Sequence, residues 1–181
     1  MSAPLHRGLC LSGSLRRASS NTALLQLARS LAPATLELTL YQGLSGLPLF
    51  NPDDEVEPLP PTVAALRQAA VGCDVLLIAS PEYAHGVPGA FKNLLDWLVG
   101  SPEFPGKPVV LINASGRATI AHAALREILT TMSAEIWLDV CIPLPGGVCD
   151  TARLAADATV TDSLRETLAT LAAELDRISP R

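Results

Sequence analysis

The chain has few aromatic residues, no long apolar run, no excess of basic charge and no spaced cysteine pair, and each absence closes off a class of protein. No stretch approaches the roughly 18 apolar residues that a membrane-spanning helix needs, so no membrane insertion is expected. The opening residues, Met1 to Gly8, lack the apolar core of a secretory signal, which leads to the expectation of a cytoplasmic protein. A net charge of −5 argues against nucleic acid as a partner, because contact with a phosphate backbone wants a basic face. Cys10, Cys73, Cys141 and Cys149 form neither a CxxC pair nor a metal-ligand pattern. Such cysteines read as buried free thiols in a reducing compartment, packed as small hydrophobes. His6, His85 and His122 are too scattered to suggest a metal, and none is expected. Three motifs are missing as well. Without GxxxxGK[ST] a P-loop nucleotide triphosphatase is excluded, and no GxGxxG follows the first strand. Without GxSxG there is no nucleophile elbow, which leaves covalent hydrolase chemistry without its usual framework.

What is present is a rhythm. The apolar 49% comes mainly from Leu, Ala and Val, and no low-complexity linker divides the 181 residues, so one domain spanning 1–181 is expected. Short apolar runs near Leu9 to Leu11, Leu36 to Tyr41, Val75 to Ala79, Val109 to Asn113 and Ile136 to Ile142 have the length of strands. Helical patterns lie between and after them. Thr22 to Leu31 follows a Ser/Asn cap, and Thr62 leads into Val63, Leu66 and Ala70. Pro88 opens a helix whose stripe is Phe91, Leu94, Leu95 and Leu98. Ala121, Leu125, Ile128, Leu129 and Met132 mark a fourth helix, and Leu164, Leu168, Leu171, Leu175 and Ile178 a last one. Five strands alternating with five helices predict right-handed crossovers and a parallel sheet covered on both faces. The fold class is therefore α/β, a flavodoxin-like three-layer αβα sandwich with a five-stranded parallel sheet of order 2-1-3-4-5. Ligands of such sheets sit at the carboxyl ends of the strands, where the winding direction reverses.

The turns at that edge carry the unusual residues. After the first strand, Gly13 and three serines flank two arginines and open onto a helix start, which aims unpaired N–H groups and the helix dipole at one point. Ser14, Ser19, Ser20, Asn21 and a guanidinium from Arg16 or Arg17 suit a phosphate cradle; the same residues also suit an ordinary N-cap on a polar turn. After the third strand, Ser80 to Gly89 combines two prolines, two glycines and an aromatic, a rigid ledge that a flat ligand can approach closely. After the fourth strand comes Ala114-Ser115-Gly116-Arg117. A phosphate at the first turn and a planar group along the second describe the shape of flavin mononucleotide.

At these residues the chain resembles the NADPH-dependent FMN reductase family of flavodoxin-like proteins. The resemblance rests on Gly13-Ser14-Leu15-Arg16 with Ser20-Asn21, on Pro81-Glu82-Tyr83 followed by His85-Gly86-Val87-Pro88-Gly89, and on Lys92-Asn93 with Asp96-Trp97. It spans roughly Leu9 to Met132. It implies bound FMN, a hydride from NADPH or NADH as co-substrate, and a flavin, quinone or similar small molecule as electron acceptor. By position it implies Ser14, Arg16, Ser20 and Asn21 around the FMN phosphate, and Pro81, Glu82, Tyr83, Ala84, His85 and Gly86 beside the ribityl chain and ring. Ser115, Gly116 and Arg117 complete the expected site. Two departures stand out: Ala84 where many relatives have Asn, and a single glycine with Arg117 where many have a glycine-rich turn. A homodimer or homotetramer is expected, and the other class of function compatible with the residues is a noncatalytic flavin- or nucleotide-binding module for electron transfer or redox sensing.

Two further expectations concern the rest of the surface. The nineteen-residue connection Gly43 to Pro61 is long for such a fold; it reads either as a solvated acidic loop or as a functional one, in which Leu49 and Phe50 are expected to cover the flavin or a partner subunit. Trp97 falls off the apolar stripe of its helix and is expected to contact another subunit.

Overall fold

Leucine- and valine-rich segments pair side by side in a computed structural model that describes residues 6–178. The strands are β1 (His6–Ser12), β2 (Leu36–Leu40), β3 (Val75–Ala79), β4 (Pro108–Asn113) and β5 (Glu135–Cys141). All neighbouring pairs are parallel, in the order β2-β1-β3-β4-β5. The helices are α1 (Ser20–Leu31), α2 (Pro61–Val71), α3 (Gly89–Val99), α4 (Thr119–Thr131), α5 (Thr151–Ala155) and α6 (Ala158–Ile178). Two short 3₁₀ turns, Leu44–Gly46 and Pro52–Asp54, interrupt the β2–α2 connection.

The pleat sorts the strand residues between two cores. Cys10, Leu77, Ala79, Val110 and Ile112 face α1 and α6, while Leu9, Leu11, Leu76, Ile78, Val109 and Leu111 face α2, α3 and α4. Strand β3 is buried along its whole length, as a central strand covered on both faces must be. The winding reverses between β1 and β3, whose ends lie level: Ser12 is the register partner of Ala79, and the Gly13 amide donates to the Ala79 carbonyl at 2.9 Å. A Cβ on Gly13 would stand 2.7 Å from the Cβ of Ser80, so only glycine lets the two turns leave the sheet in contact.

The sequence reading holds for sheet order and for the five strands, with three adjustments. Strand β1 starts at His6, because that residue is buried and its amide donates to the Thr35 carbonyl. A five-residue helix, α5, precedes the final one; it is too short to show a hydrophobic period, and Asp150 caps it through the Arg153 amide. Trp97 is not a subunit contact. It is fully buried, its indole N–H donates to the Pro48 carbonyl at 2.8 Å, and its ring meets Phe50 edge-on at 5.0 Å. The helix stripe misses it because the β2–α2 loop, rather than the sheet, covers that side of α3. Asn93 completes the attachment, accepting from the Phe50 amide and donating to the Pro48 carbonyl. Glu55 in the same loop pairs with Arg67 on α2, whose Nε also donates to the Trp97 carbonyl. Leu49 remains 84% exposed at the loop surface, while Phe50 serves the intramolecular contact.

Among the described residues no helix is long and apolar enough to cross a membrane, and no group of His, Cys, Asp and Glu is placed to hold a metal. Cys10, Cys73 and Cys149 are buried free thiols as expected, and Cys141 is exposed on the edge strand. Burial pushes the Cys10 thiol up to about 12 and raises that of Cys73, so neither supplies a thiolate.

Candidate active site

The β1–α1 turn runs from Gly13 to Ser19 and ends in an ordered helix start. Ser19 caps α1, its hydroxyl accepting from the Thr22 amide at 3.2 Å. The amides of Ser20 and Asn21, in the first helical turn, have no intrahelical acceptor and carry the positive end of the dipole. The Ser20 hydroxyl accepts from the Cys149 amide at 3.0 Å, which leaves its own proton free to donate. The buried Oδ1 of Asn21 has no hydrogen-bond partner, the one side-chain atom of this kind among the described residues. Arg16 and Arg17 are exposed and enter no ion pair among the described residues.

The β3–α3 turn is built differently. Tyr83 and Gly86 exchange two backbone hydrogen bonds, of 3.1 and 2.9 Å, around Ala84 and His85. Both central residues are left-handed, with φ of 48° and 59°, a conformation that costs a residue with a Cβ about 1–2 kcal/mol. Glu82 braces this turn. One carboxylate oxygen takes the His85 Nδ1 at 2.9 Å and the other accepts the Ala121 amide of α4 at 2.9 Å. The Ala121 N–H, and then the His85 contact, hold the Glu82 carboxyl below the usual carboxylate range.

The β4–α4 turn is shaped by Asn113. Its Oδ1 accepts the amides of Ser115 and Gly116 at 3.0 and 3.2 Å, and its Nδ2 donates to the Ala118 carbonyl. Gly116 is left-handed at φ 63°, which suits its lack of a Cβ.

These turns enclose a cleft of about 420 Å³, within the usual range of ligand pockets. Six of the residues singled out from sequence line it: Ser20, Asn21, Pro81, Glu82, Ser115 and Arg117. Ser14, Arg16 and Gly116 belong to the same turns without lining the cavity, and Tyr83, Ala84, His85 and Gly86 form the tip of the ledge beyond Glu82. Arg17 lines a separate cavity of about 130 Å³ beside α1, together with Gln26, Cys149 and Asp150. Sequence reasoning missed one wall, Leu144 to Gly147 after β5. Arg153 shapes it by donating to the carbonyls of Gly146 and Val148, and the Pro143-Leu144-Pro145-Gly146-Gly147 run was its signal in the sequence.

The residues fit FMN. The first-turn amides, the Ser20 proton and a guanidinium with no ion-pair partner among the described residues are donors for a phosphate, and the buried Asn21 Oδ1 has no donor among the described residues. Fold and cleft together define a doubly wound α/β protein of the nucleotide-binding kind, with its ligand cleft at the switch point between β1 and β3.

Comparison with known proteins agrees. The chain belongs to the NADPH-dependent FMN reductase family, whose sequence profile matches residues 7–144. It is 40% identical over 137 residues to an NAD(P)H-dependent FMN reductase of Pseudomonas aeruginosa, covering 73% of this chain and 70% of the relative. A quinone reductase of Escherichia coli K12 is 37% identical over 133 residues, covering 70% of each. Among solved structures, the flavoenzyme NAD(P)H:(acceptor) oxidoreductase FerB of Paracoccus denitrificans superposes with a TM-score of 0.74 at 25% identity, covering 96% of this chain and 98% of that one. The protein is an FMN-dependent NAD(P)H oxidoreductase, which sets aside the noncatalytic alternative.

Proposed function

We propose that this enzyme holds the FMN phosphate in the β1–α1 turn and the isoalloxazine along the Pro81–Gly86 ledge, and passes electrons from NADPH or NADH to a quinone or flavin. The observation that carries this reading is the convergence of Ser20, Asn21, Pro81, Glu82, Ser115 and Arg117 on one cleft at the switch point, beside a turn whose guanidiniums have no counter-ion among the described residues. Ser14, Arg16, Ser20 and Asn21 are the phosphate ligands. Arg16 is assigned over Arg17 because Arg17 lines the separate cavity beside α1. Pro81, Glu82 and Tyr83 approach the flavin through their backbone, with Ala84, His85 and Gly86 continuing the ledge. Ser115 and Gly116 shape the opposite wall, and Arg117 meets an anionic group of the nicotinamide nucleotide or the flavin edge.

Bound FMN supplies the hydride and electron chemistry, accepting from the reduced nicotinamide and delivering to the acceptor. The chain's own part is to bind, orient and neutralise charge, and no side-chain nucleophile or general base is required. With FMN held in this cleft, donor and acceptor would bind in turn, and ping-pong kinetics are expected. Relatives named as quinone reductases support a small-molecule acceptor. The enzyme works in the cytoplasm as a homodimer or homotetramer. The test is anaerobic spectroscopy of the purified protein. A flavin spectrum that bleaches with NADPH and returns with a soluble quinone is expected; a flavin that NADPH leaves oxidised would refute the reading.

A further inference from the structure

One side chain of the β3–α3 turn is hydrogen-bonded to the start of α4, on the opposite wall of the cleft. Helix α4 begins after Ala118, which has no side chain able to cap it, and no cap of its own is formed. The acceptor comes instead from 39 residues earlier in the chain: Glu82 Oε2 takes the Ala121 amide at 2.9 Å. The other oxygen of the same carboxylate holds His85, one of two consecutive residues in the left-handed region. A turn with that conformation and no glycine at its centre persists only where its surroundings over-determine it. The paired backbone bonds between Tyr83 and Gly86 provide one constraint, and the Glu82–His85 contact provides the other.

We infer that Glu82 is a positioning residue, a cap supplied by a distant segment of the same chain that fixes the flavin ledge to the start of α4 and so sets the width of the cleft. The inference rests on the reading of that cleft as the FMN site. Both carboxylate oxygens are engaged with protein groups, so Glu82 acts on the flavin through the geometry of Pro81 to Gly86 and of Ser115 to Ala118. Its loss therefore affects the ring end of the ligand, and it weakens FMN and riboflavin alike, whereas loss of a phosphate ligand affects FMN alone.

The test compares the wild type with Glu82→Ala, Glu82→Gln and His85→Ala, using titration of the flavin-free protein with FMN and with riboflavin, and the flavin absorption band of each complex. Glu82→Ala should weaken both ligands by about tenfold and should alter the band shape. Glutamine keeps an acceptor for Ala121 and a partner for His85, so it should bind within about threefold of the wild type. His85→Ala removes one arm of the brace and should fall between the two. Amide exchange reads the cap without any flavin: Ala121 should be protected in the wild type and lose that protection in Glu82→Ala. Should Glu82→Ala fail to fold, Glu82→Gln, His85→Ala and wild-type exchange at Ala121 still decide. Binding by Glu82→Ala within twofold of the wild type with an unchanged band would overturn the inference. So would a glutamine variant as weak as alanine, or an unprotected Ala121 amide in the wild type. A wild type that bound neither flavin would instead overturn the FMN reading itself.

Discussion

The turns after β1 and β3 leave adjacent strands side by side, yet they use their polar groups in opposite ways. In the first, the Asn21 Oδ1 has no partner, two guanidiniums have no counter-ion among the described residues, and the first-turn amides of α1 have no intrahelical acceptor. In the second, Glu82, His85, Tyr83 and Gly86 are satisfied by one another and by Ala121. A buried or directed polar group without a partner costs free energy, so it persists where a ligand supplies the missing contact. Groups that satisfy each other hold a shape instead. One wall is left open for chemistry, and the other is braced to present a surface. The β2–α2 loop belongs with the braced class, since Asn93, Trp97 and Arg67 take up its polar handles.

Substitutions should divide along that line. Trp97→Ala removes a fully buried indole and the anchor of the loop, and should cost about 3–5 kcal/mol of stability, the range for truncating a core aromatic. Thermal melting of the flavin-free protein would show this as a fall of about 6–20 °C, at roughly 2–4 °C for each kcal/mol. Arg16→Ala should leave that melting temperature in place and weaken FMN by about 1–3 kcal/mol, as expected for a charge-assisted hydrogen bond, with Arg17→Ala weakening it less. If Arg16→Ala destabilised the flavin-free protein instead, the turn would be structural and the contrast would collapse. Ala84→Asn should raise the stability of the flavin-free protein by about 0.5–1 kcal/mol, because asparagine tolerates the left-handed conformation that Ala84 is forced to adopt.

The smallest effect is a pH shift. The folded-state pKa of Glu82 lies below its unfolded value, so the stability it contributes is present above the ordinary carboxylate range and is lost as pH falls through the lowered value. Acid titration of the flavin-free protein, followed at the Ala121 amide, should therefore show the contact surviving into the ordinary carboxylate range and breaking below it. A break above that range would contradict the brace.

Much of this was legible in the sequence. The strands and their order follow from short apolar runs separated by helical periods, and the three principal turns follow from the switch-point rule applied to that order. What escaped notice depends on contacts between distant segments. Trp97 lies off the stripe that faces the sheet, and only the docked β2–α2 loop explains its burial. The wall from Leu144 to Gly147 is held by Arg153 and by the bond from the Cys149 amide to Ser20, neither of which has a local pattern. The role of Glu82 is of the same kind: Pro81-Glu82-Tyr83 is conspicuous as a motif, but the acceptor for Ala121 appears only when the β3 turn meets α4 in space. Local chemistry marked where the ligand contacts gather, while the supports behind them arise from the tertiary fold.

The preference for FMN over riboflavin isolates the phosphate end of the cleft and is the most direct measurement of it. Titration of the flavin-free wild type should show FMN binding more tightly than riboflavin, and Arg16→Ala should reduce that preference by about fivefold or more while leaving riboflavin affinity unchanged. A wild type that bound both flavins equally, or an Arg16→Ala variant that kept the full preference, would contradict the assignment of the β1–α1 turn as the phosphate site.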